Sequence, residues 1–443
     1  MTAENKATEV EVKNPRIKVS SSLKAGGCEK LDVWSIFSPS QMPKDTINLG
    51  QGFMSWAPPD FLKKAAEDIV ENDVMAHHYS PARGRPSLRQ AISDHYSSDF
   101  QRQLNPETEI LVTAGANEGM YATLLAFLNQ GDEVICIEPF FDQYTASIIF
   151  NGGKPVYVPL HPPKEQANAE SGPGKVSQGS DWTVDFDELR AAITPKTKVL
   201  IINTPHNPVG KVFTRQELEQ FGALAKEFNF LILSDEVYDC LTFDENEHVR
   251  IANLPGMWER TITVGSAGKS FAATGWRIGW LIGPEHLITP ALAASTRIIF
   301  CVNGPLQEAT AKGLALAKTH RFFETQRAEY AARRKVLTDI FDQLGLPYTM
   351  PQGAYFILVD LGRFKWPENY VFPDYLEERG RDFKVCWFLG QELGVVAIPP
   401  SEFYTPDHVH IGERFARFAF CKDIDTLKAA GVRLQKITQY LHD

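Results

Sequence analysis

The run "TKVLIINTPHNPVGKVFTRQELEQFGALAKEFNFLILSDEVY" (197–238) decides how the rest of the chain is read. It opens on an apolar segment, TKVLIIN (197–203), and passes through a turn locked by two prolines. It continues as an amphipathic stretch, RQELEQFGALAKEF (215–228), and closes on a second apolar segment, NFLILSD (229–235). Strand, helix, strand in that order predicts an α/β fold with a mostly parallel sheet.

The same alternation extends in both directions. Further apolar runs occur at EILVTAG (109–115), DEVICIE (132–138), KPVYVPL (154–160), RTITVG (260–265) and RIGWLIG (277–283), which makes seven expected strands in all. In such sheets ligands bind at the carboxyl ends of the strands. Those ends carry Gly115, Glu138–Pro139, Asn203, Asp235 and Gly265–Ser266. After about residue 325 the character changes to a charged helix and then the strands AYFILVD and RFARFAF, a second, smaller α/β domain. The expected division is a disordered extension over 1–30, a segment over 31–60 that joins the small domain, a large domain over 61–324 and the small domain over 325–443. The polar, Gly/Pro-rich stretch 161–181 is expected to be an exposed loop.

Composition narrows the function. The chain has 443 residues, 43% apolar and 23% charged, with a formal net charge of −10. No basic stripe supports nucleic-acid binding, and no apolar run approaches the roughly 20 residues of a membrane span. The six cysteines are scattered singly, which indicates neither a zinc site nor a disulfide framework. No metal is expected. The N-terminal residues lack both an apolar signal core and an Arg-rich, acid-poor transit character, so a cytoplasmic location is favoured and a mitochondrial pool stays open.

The chemistry gathers around "SAGKSFAATGWRIGW" (266–280). A lysine is a nucleophile only when its amine is deprotonated, and burial with cationic neighbours moves it that way. Taken alone, Lys269 is more readily read as a salt-bridged or surface lysine. Its neighbours change the balance. Ser266 and Arg277 flank it with a hydroxyl and a guanidinium, which suit a phosphate. Asp235 ends an apolar strand, where a buried carboxylate needs a cationic partner, although a helix cap is an equal reading for one Asp. Tyr238 follows it, Asn207 lies in the proline turn, and TAGANEG (113–119) runs from a strand end into a helix whose free N–H groups suit an anion. An amine, an acid, a hydroxyl, an amide and phosphate binders, each at a strand end, together describe a pyridoxal 5′-phosphate site.

These motifs, with NLGQGF (48–53), YSPARGRPSLRQAI (79–92), EPFFDQY (138–144) and RFAFCKD (417–423), resemble the fold-type I, class I/II aminotransferases. EPFFDQY together with NTPHNPVGKVF (203–213) is similar to the kynurenine aminotransferase subgroup, also known as glutamine transaminase K or cysteine-conjugate β-lyase. The resemblance implies transamination of kynurenine, and of other aromatic or sulfur amino acids, with an oxo acid such as 2-oxoglutarate, giving kynurenic acid. A β-lyase or an aromatic or aspartate aminotransferase is the alternative, and a non-catalytic transaminase-like regulator a remote one.

It implies roles as well. Lys269 would bond to the cofactor aldehyde and shuttle a proton, Asp235 would hold the ring nitrogen protonated, and Asn207 and Tyr238 would meet the ring oxygen. Phe141 would stack on the ring. Ala116, Asn117, Ser266 and Arg277 would hold the phosphate, with Tyr79 reaching the phosphate of the neighbouring subunit in a homodimer with shared active sites. Arg417 would clamp the substrate carboxylate with help from Gly52 and Asn207, and Trp34 and Tyr355 are candidates for the side-chain pocket. Cys301 stands where some relatives place a histidine, which leaves the detailed substrate preference open.

Overall fold

The computed structural model describes residues 19–26, 31–164 and 175–442. Among them fourteen strands occur: β1 (Ile47–Asn48), β2 (Ile110–Thr113), β3 (Glu133–Glu138), β4 (Lys154–His161), β5 (Val176–Gln178), β6 (Thr183–Val184), β7 (Thr197–Asn203), β8 (Leu231–Asp235), β9 (Thr261–Ser266), β10 (Gly279–Ile282), β11 (Tyr348–Met350), β12 (Phe356–Asp360), β13 (Val395–Val396) and β14 (Phe415–Ala419).

The opening stretch folds as its pattern predicts. Thr214 caps the helix Arg215–Phe228 in a reciprocal box with Glu217, satisfying two of the free N–H groups at its start. Leu218, Phe221, Leu224 and Ala225 form its buried face, and Asn229 stops it in the left-handed conformation at φ 55°. The helix connects β7 to β8, which pair in parallel with Asn203 opposite Asp235. That register sets two polar strand ends side by side.

The main sheet runs β2-β10-β9-β8-β7-β3-β4-β6. Its centre is parallel, from β4 through β3, β7 and β8 to β9. β10 is antiparallel to both β9 and β2. All seven expected strands are present, and the sheet has an eighth, the two-residue β6. The parallel strands lie buried between two apolar clusters, as sheets covered on both faces require.

A second sheet has the order β14-β12-β11-β5, and a two-stranded parallel pair joins β1 to β13. Two expectations need correction. The stretch 161–181 is not wholly a loop: β4 extends to His161, and Val176–Gln178 is an edge strand parallel to β11. Three residues with one inward side chain, Ser177, carry no apolar run for a sequence pattern to detect. Ser177 and Thr349 hydroxyls lie 3.0 Å apart, and the buried Trp182 donates to Thr349 at 3.2 Å. Most of the expected disordered extension lies outside the described residues, but Ser21–Ala25 forms a helical turn capped by Ser20. Gly26 then passes so close to the Phe150 ring that a Cβ there would lie 2.4 Å from it.

No helix among the described residues is long and apolar enough to cross a membrane. Among the same residues no group of three or more His, Cys, Asp or Glu side chains could hold a metal ion.

Candidate active site

The carboxyl ends of β2, β3, β7, β8 and β9 meet at one cavity, in which the centre of a water molecule can sweep about 210 Å³. Lys269 sits just beyond β9, in a single turn over Ala267–Ser270. Its Nζ donates to the Tyr355 hydroxyl at 2.8 Å and, more weakly, to the Gly52 carbonyl at 3.4 Å. Burial pulls the amine from its ordinary 10.5 down to about 8, with Arg417 and Arg277 adding to the effect. The shift is toward the neutral amine that a nucleophile requires.

Asp235 ends β8 and is 4% exposed. The Tyr144 hydroxyl donates to its Oδ2, and the Val237 N–H approaches its Oδ1 at 3.4 Å. Among the described residues no cation lies within ion-pair distance of it, and burial pushes it up to about 6. Arg417, on β14, is 1% exposed and likewise has no carboxylate within ion-pair distance among the described residues. It donates to Asn207 Oδ1 at 3.1 Å and to the Gly50 carbonyl at 2.8 Å, while its buried Nε finds no acceptor. Burial lowers it to about 10. An anion and a cation, each buried without a protein counter-charge, face one cavity.

At the cavity's other side the helix Ala116–Phe127 begins behind Gly115, which holds φ 83°. A Cβ at Gly115 would lie 2.4 Å from Arg277 Nη2, so the glycine leaves the guanidinium room beside the helix start, at a positive φ that favours glycine. The buried Asn117 Oδ1 has no partner. Helix start, Arg277 and Ser266 form a cradle suited to a phosphate. An acid for a ring nitrogen, a lysine amine and this cradle share one cavity, so the residues present fit pyridoxal 5′-phosphate.

The structure thus brings together Lys269, Asp235, Tyr238, Asn207, Phe141, Ala116, Asn117, Ser266, Arg277, Gly52, Trp34 and Arg417. Trp34 is held by donating from Nε1 to Asp142 at 2.8 Å, and the Arg417 guanidinium lies 5.6 Å from its ring centre. Two expected residues fall elsewhere. Tyr355 does not line the cavity; it is fully buried, with its hydroxyl on Lys269. Tyr79 is 83% exposed, packed edge-on against Phe300 at 5.2 Å, and does not line this chain's cavity.

Other lining residues were given no role from sequence: Tyr144, Asn203, Met120, Val237 and Phe356. Asn203 was legible as a polar strand end. Its amide donates to the Asp235 carbonyl at 3.0 Å, and its Oδ1 accepts the Asn207 N–H at 2.7 Å, which fixes the proline turn against β8. Tyr144 carried one signal, its position three residues after Phe141 on the same helix face.

The model for aminotransferase class I and II matches residues 44–430. A Saccharomyces cerevisiae protein named "Probable kynurenine--oxoglutarate transaminase BNA3" is 47% identical over 421 residues, 93% of each chain. A Dictyostelium discoideum kynurenine--oxoglutarate transaminase is 41% identical over 411 residues, 91% of this chain and 94% of the other. Among solved structures, that of Saccharomyces cerevisiae Bna3p superposes with a TM-score of 0.90 at 46% identity, over 96% of this chain and 100% of the other. With a family model that spans most of its length and relatives similar from end to end, the chain belongs to the class I and II aminotransferases, a family of pyridoxal 5′-phosphate enzymes.

Proposed function

We propose that this chain uses pyridoxal 5′-phosphate to transaminate kynurenine, and other aromatic or sulfur amino acids, with 2-oxoglutarate or a related oxo acid as acceptor. Kynurenine would leave as the oxo acid that cyclises to kynurenic acid. One observation carries the reading: Arg417, buried and lacking a carboxylate partner among the described residues, faces the same cavity as Lys269 and Asp235. The names of the relatives support kynurenine as donor, and the aromatic walls Trp34 and Phe356 suit a flat side chain.

The cofactor, when bound, supplies an electron-poor ring that accepts the electron pair of the broken Cα–H bond. The protein does the rest. Arg417 takes the carboxylate common to every donor and acceptor as a bidentate pair, and Asn207 steadies the guanidinium. Asp235 presents a negative charge that keeps a facing nitrogen protonated. Lys269 carries the Cα proton, a task suited to an amine near neutral pH.

A homodimer with shared active sites belongs to the same proposal. Tyr79 (83% exposed) and Phe300 (57%) pack edge-on against each other while largely open to solvent, and Val74 (72%) and Met75 (65%) are exposed a few residues earlier. A second copy placed there would let Tyr79 reach its partner's phosphate cradle. Mixed dimers of Tyr79→Ala and Lys269→Ala should then recover activity that neither parent has.

Borohydride reduction of the yellow holoprotein followed by peptide mapping should mark Lys269. The purified enzyme should convert kynurenine only when an oxo acid is present. Pyruvate and ammonia released from a cysteine conjugate without acceptor would point to the lyase instead, and absence of cofactor would overturn the proposal.

A further inference from the structure

We propose that Tyr355 is the positioning residue for Lys269, and that with the Gly52 carbonyl it aims the lysine's lone pair into the cavity. This rests on the proposed use of Lys269 against a cofactor aldehyde. The argument is one of proton accounting. Tyr355 is fully buried, and burial raises its phenol well above the ordinary 10, so it is neutral and carries a single proton. Its hydroxyl lies 2.8 Å from the Gly52 carbonyl, which can only accept. The phenol proton goes to Gly52 or to the neighbouring Tyr238 hydroxyl, and in either case the tyrosine oxygen accepts from Lys269.

Lys269 must then donate. A neutral primary amine has two N–H bonds and one lone pair. Tyr355 at 2.8 Å takes one N–H and Gly52 at 3.4 Å takes the other. Tyr355 stands behind the lysine, outside the cavity wall, while Lys269 lines it. The remaining tetrahedral direction is left to the lone pair, which we place toward the cavity that Lys269 lines. Attack from there puts the pair on the aldehyde carbon and sends the carbonyl π electrons to oxygen. The two amine protons then leave with that oxygen as water.

The surroundings hold the tyrosine in place. Its ring stacks on Tyr330 at 6.0 Å and meets Tyr238 edge-on at 5.1 Å. A Cβ at Gly52 would lie 3.0 Å from the Tyr355 ring and 2.8 Å from Phe356, so the carbonyl comes this close only from a glycine.

The test adds two probes to cofactor-free protein. Pyridoxamine 5′-phosphate has no aldehyde and reports the pocket alone, and pyridoxal 5′-phosphate reports covalent capture by stopped-flow absorbance. In Tyr355→Phe, pyridoxamine phosphate should bind within about twofold of wild type. The high-pH plateau of the capture rate should fall on the order of tenfold, as expected for one lost hydrogen bond. The midpoint of the capture rate's pH profile should move down, because the ammonium loses an acceptor. Tyr330→Phe removes a hydroxyl that has no partner from the same ring stack and should change neither probe. Should Tyr355→Phe fail to fold, 3-fluorotyrosine at position 355, a weaker acceptor of similar shape, should slow capture in the same direction. Capture at the wild-type rate, or equal loss of both probes, would overturn the assignment. A wild-type protein that binds neither probe would instead remove the cofactor reading on which it stands.

Discussion

Asp235 and Glu236 are consecutive, both buried, and opposite in their electrostatics. Glu236 accepts from Arg250, from His248 at 2.8 Å and from Ser234 at 2.8 Å. Burial alone would raise it, but His248 and Arg250 outweigh that and hold it below the ordinary carboxylate range. Arg250 in turn donates to Asp239 at 2.7 Å, and Glu236 and Asp239 raise it against the effect of burial. Asp235, one residue earlier, has a phenol and an amide in place of cations and rises to about 6. Arg417 is the matching case among arginines. One cluster neutralises its buried charge within the protein; the other leaves an anion and a cation to be neutralised by what binds. Uncompensated burial is costly, and an anion and a cation left so on one cavity mark where the ligand's own charges belong.

The comparison can be broken from either side. Glu236→Gln removes one partner from a closed buried network and should cost roughly 3–5 kcal/mol of folding stability. Denaturant titration should show this, while the surviving folded enzyme keeps most of its turnover. Arg417→Ala should do the reverse. Donor and acceptor affinity should drop by roughly 2–5 kcal/mol, similarly for every carboxylate substrate, with no loss of stability in the ligand-free chain. Arg417→Lys should recover part of the affinity only, since an ammonium cannot reproduce two parallel bonds. Unchanged Michaelis constants in Arg417→Ala would place the carboxylate clamp elsewhere.

Asp235→Asn should reduce turnover on the order of 10²–10³-fold with cofactor retained, because a charge aimed at the reacting system is lost. The same variant tests the pH behaviour. Asp235 rises from 3.8 to about 6 on folding, so between those values the native chain holds the extra proton. Its contribution is present below about pH 4, is lost as pH rises through about 6, and is flat above. Unfolding of cofactor-free protein should therefore show Asp235→Asn gaining about 3 kcal/mol relative to wild type between pH 4 and 7. No pH dependence in that difference would mean Asp235 has a compensating charge after all. The smallest effect is that of Tyr144→Phe. Loss of the hydroxyl that favours ionised Asp235 should move the carboxyl further up and slow turnover about tenfold or less, most visibly at the acid end of the pH profile.

The main sheet was legible because each strand is a continuous apolar run with a turn at its end, and the cofactor residues were legible because they sit at those ends. What escaped was pairing at long range. Tyr355 reaches Lys269 across 86 residues of sequence, and Tyr144 reaches Asp235 across 91. Neither partner changes the local pattern of the other, so a tyrosine before a strand reads as pocket or core until the fold places its hydroxyl. β5 and β6 escaped for a simpler reason: two or three residues at a sheet edge need no apolar run.

The edge strand β5 has a consequence for how the chain can be divided. The chain leaves the main sheet after β4, lends Val176–Gln178 to the second sheet, and returns at β6. A fragment starting near residue 325 would lack both this strand and Trp182, whose ring packs 5.6 Å from Phe415. Cut out on its own, it should behave as an incomplete folding unit and need residues 176–182 supplied in trans. In the intact chain, the Ser177–Thr349 contact joins residues 172 apart. Contacts of such separation bear a large loop-closure entropy before they reward it, so the second sheet should acquire its edge late in folding, after the main sheet has brought its two halves within reach.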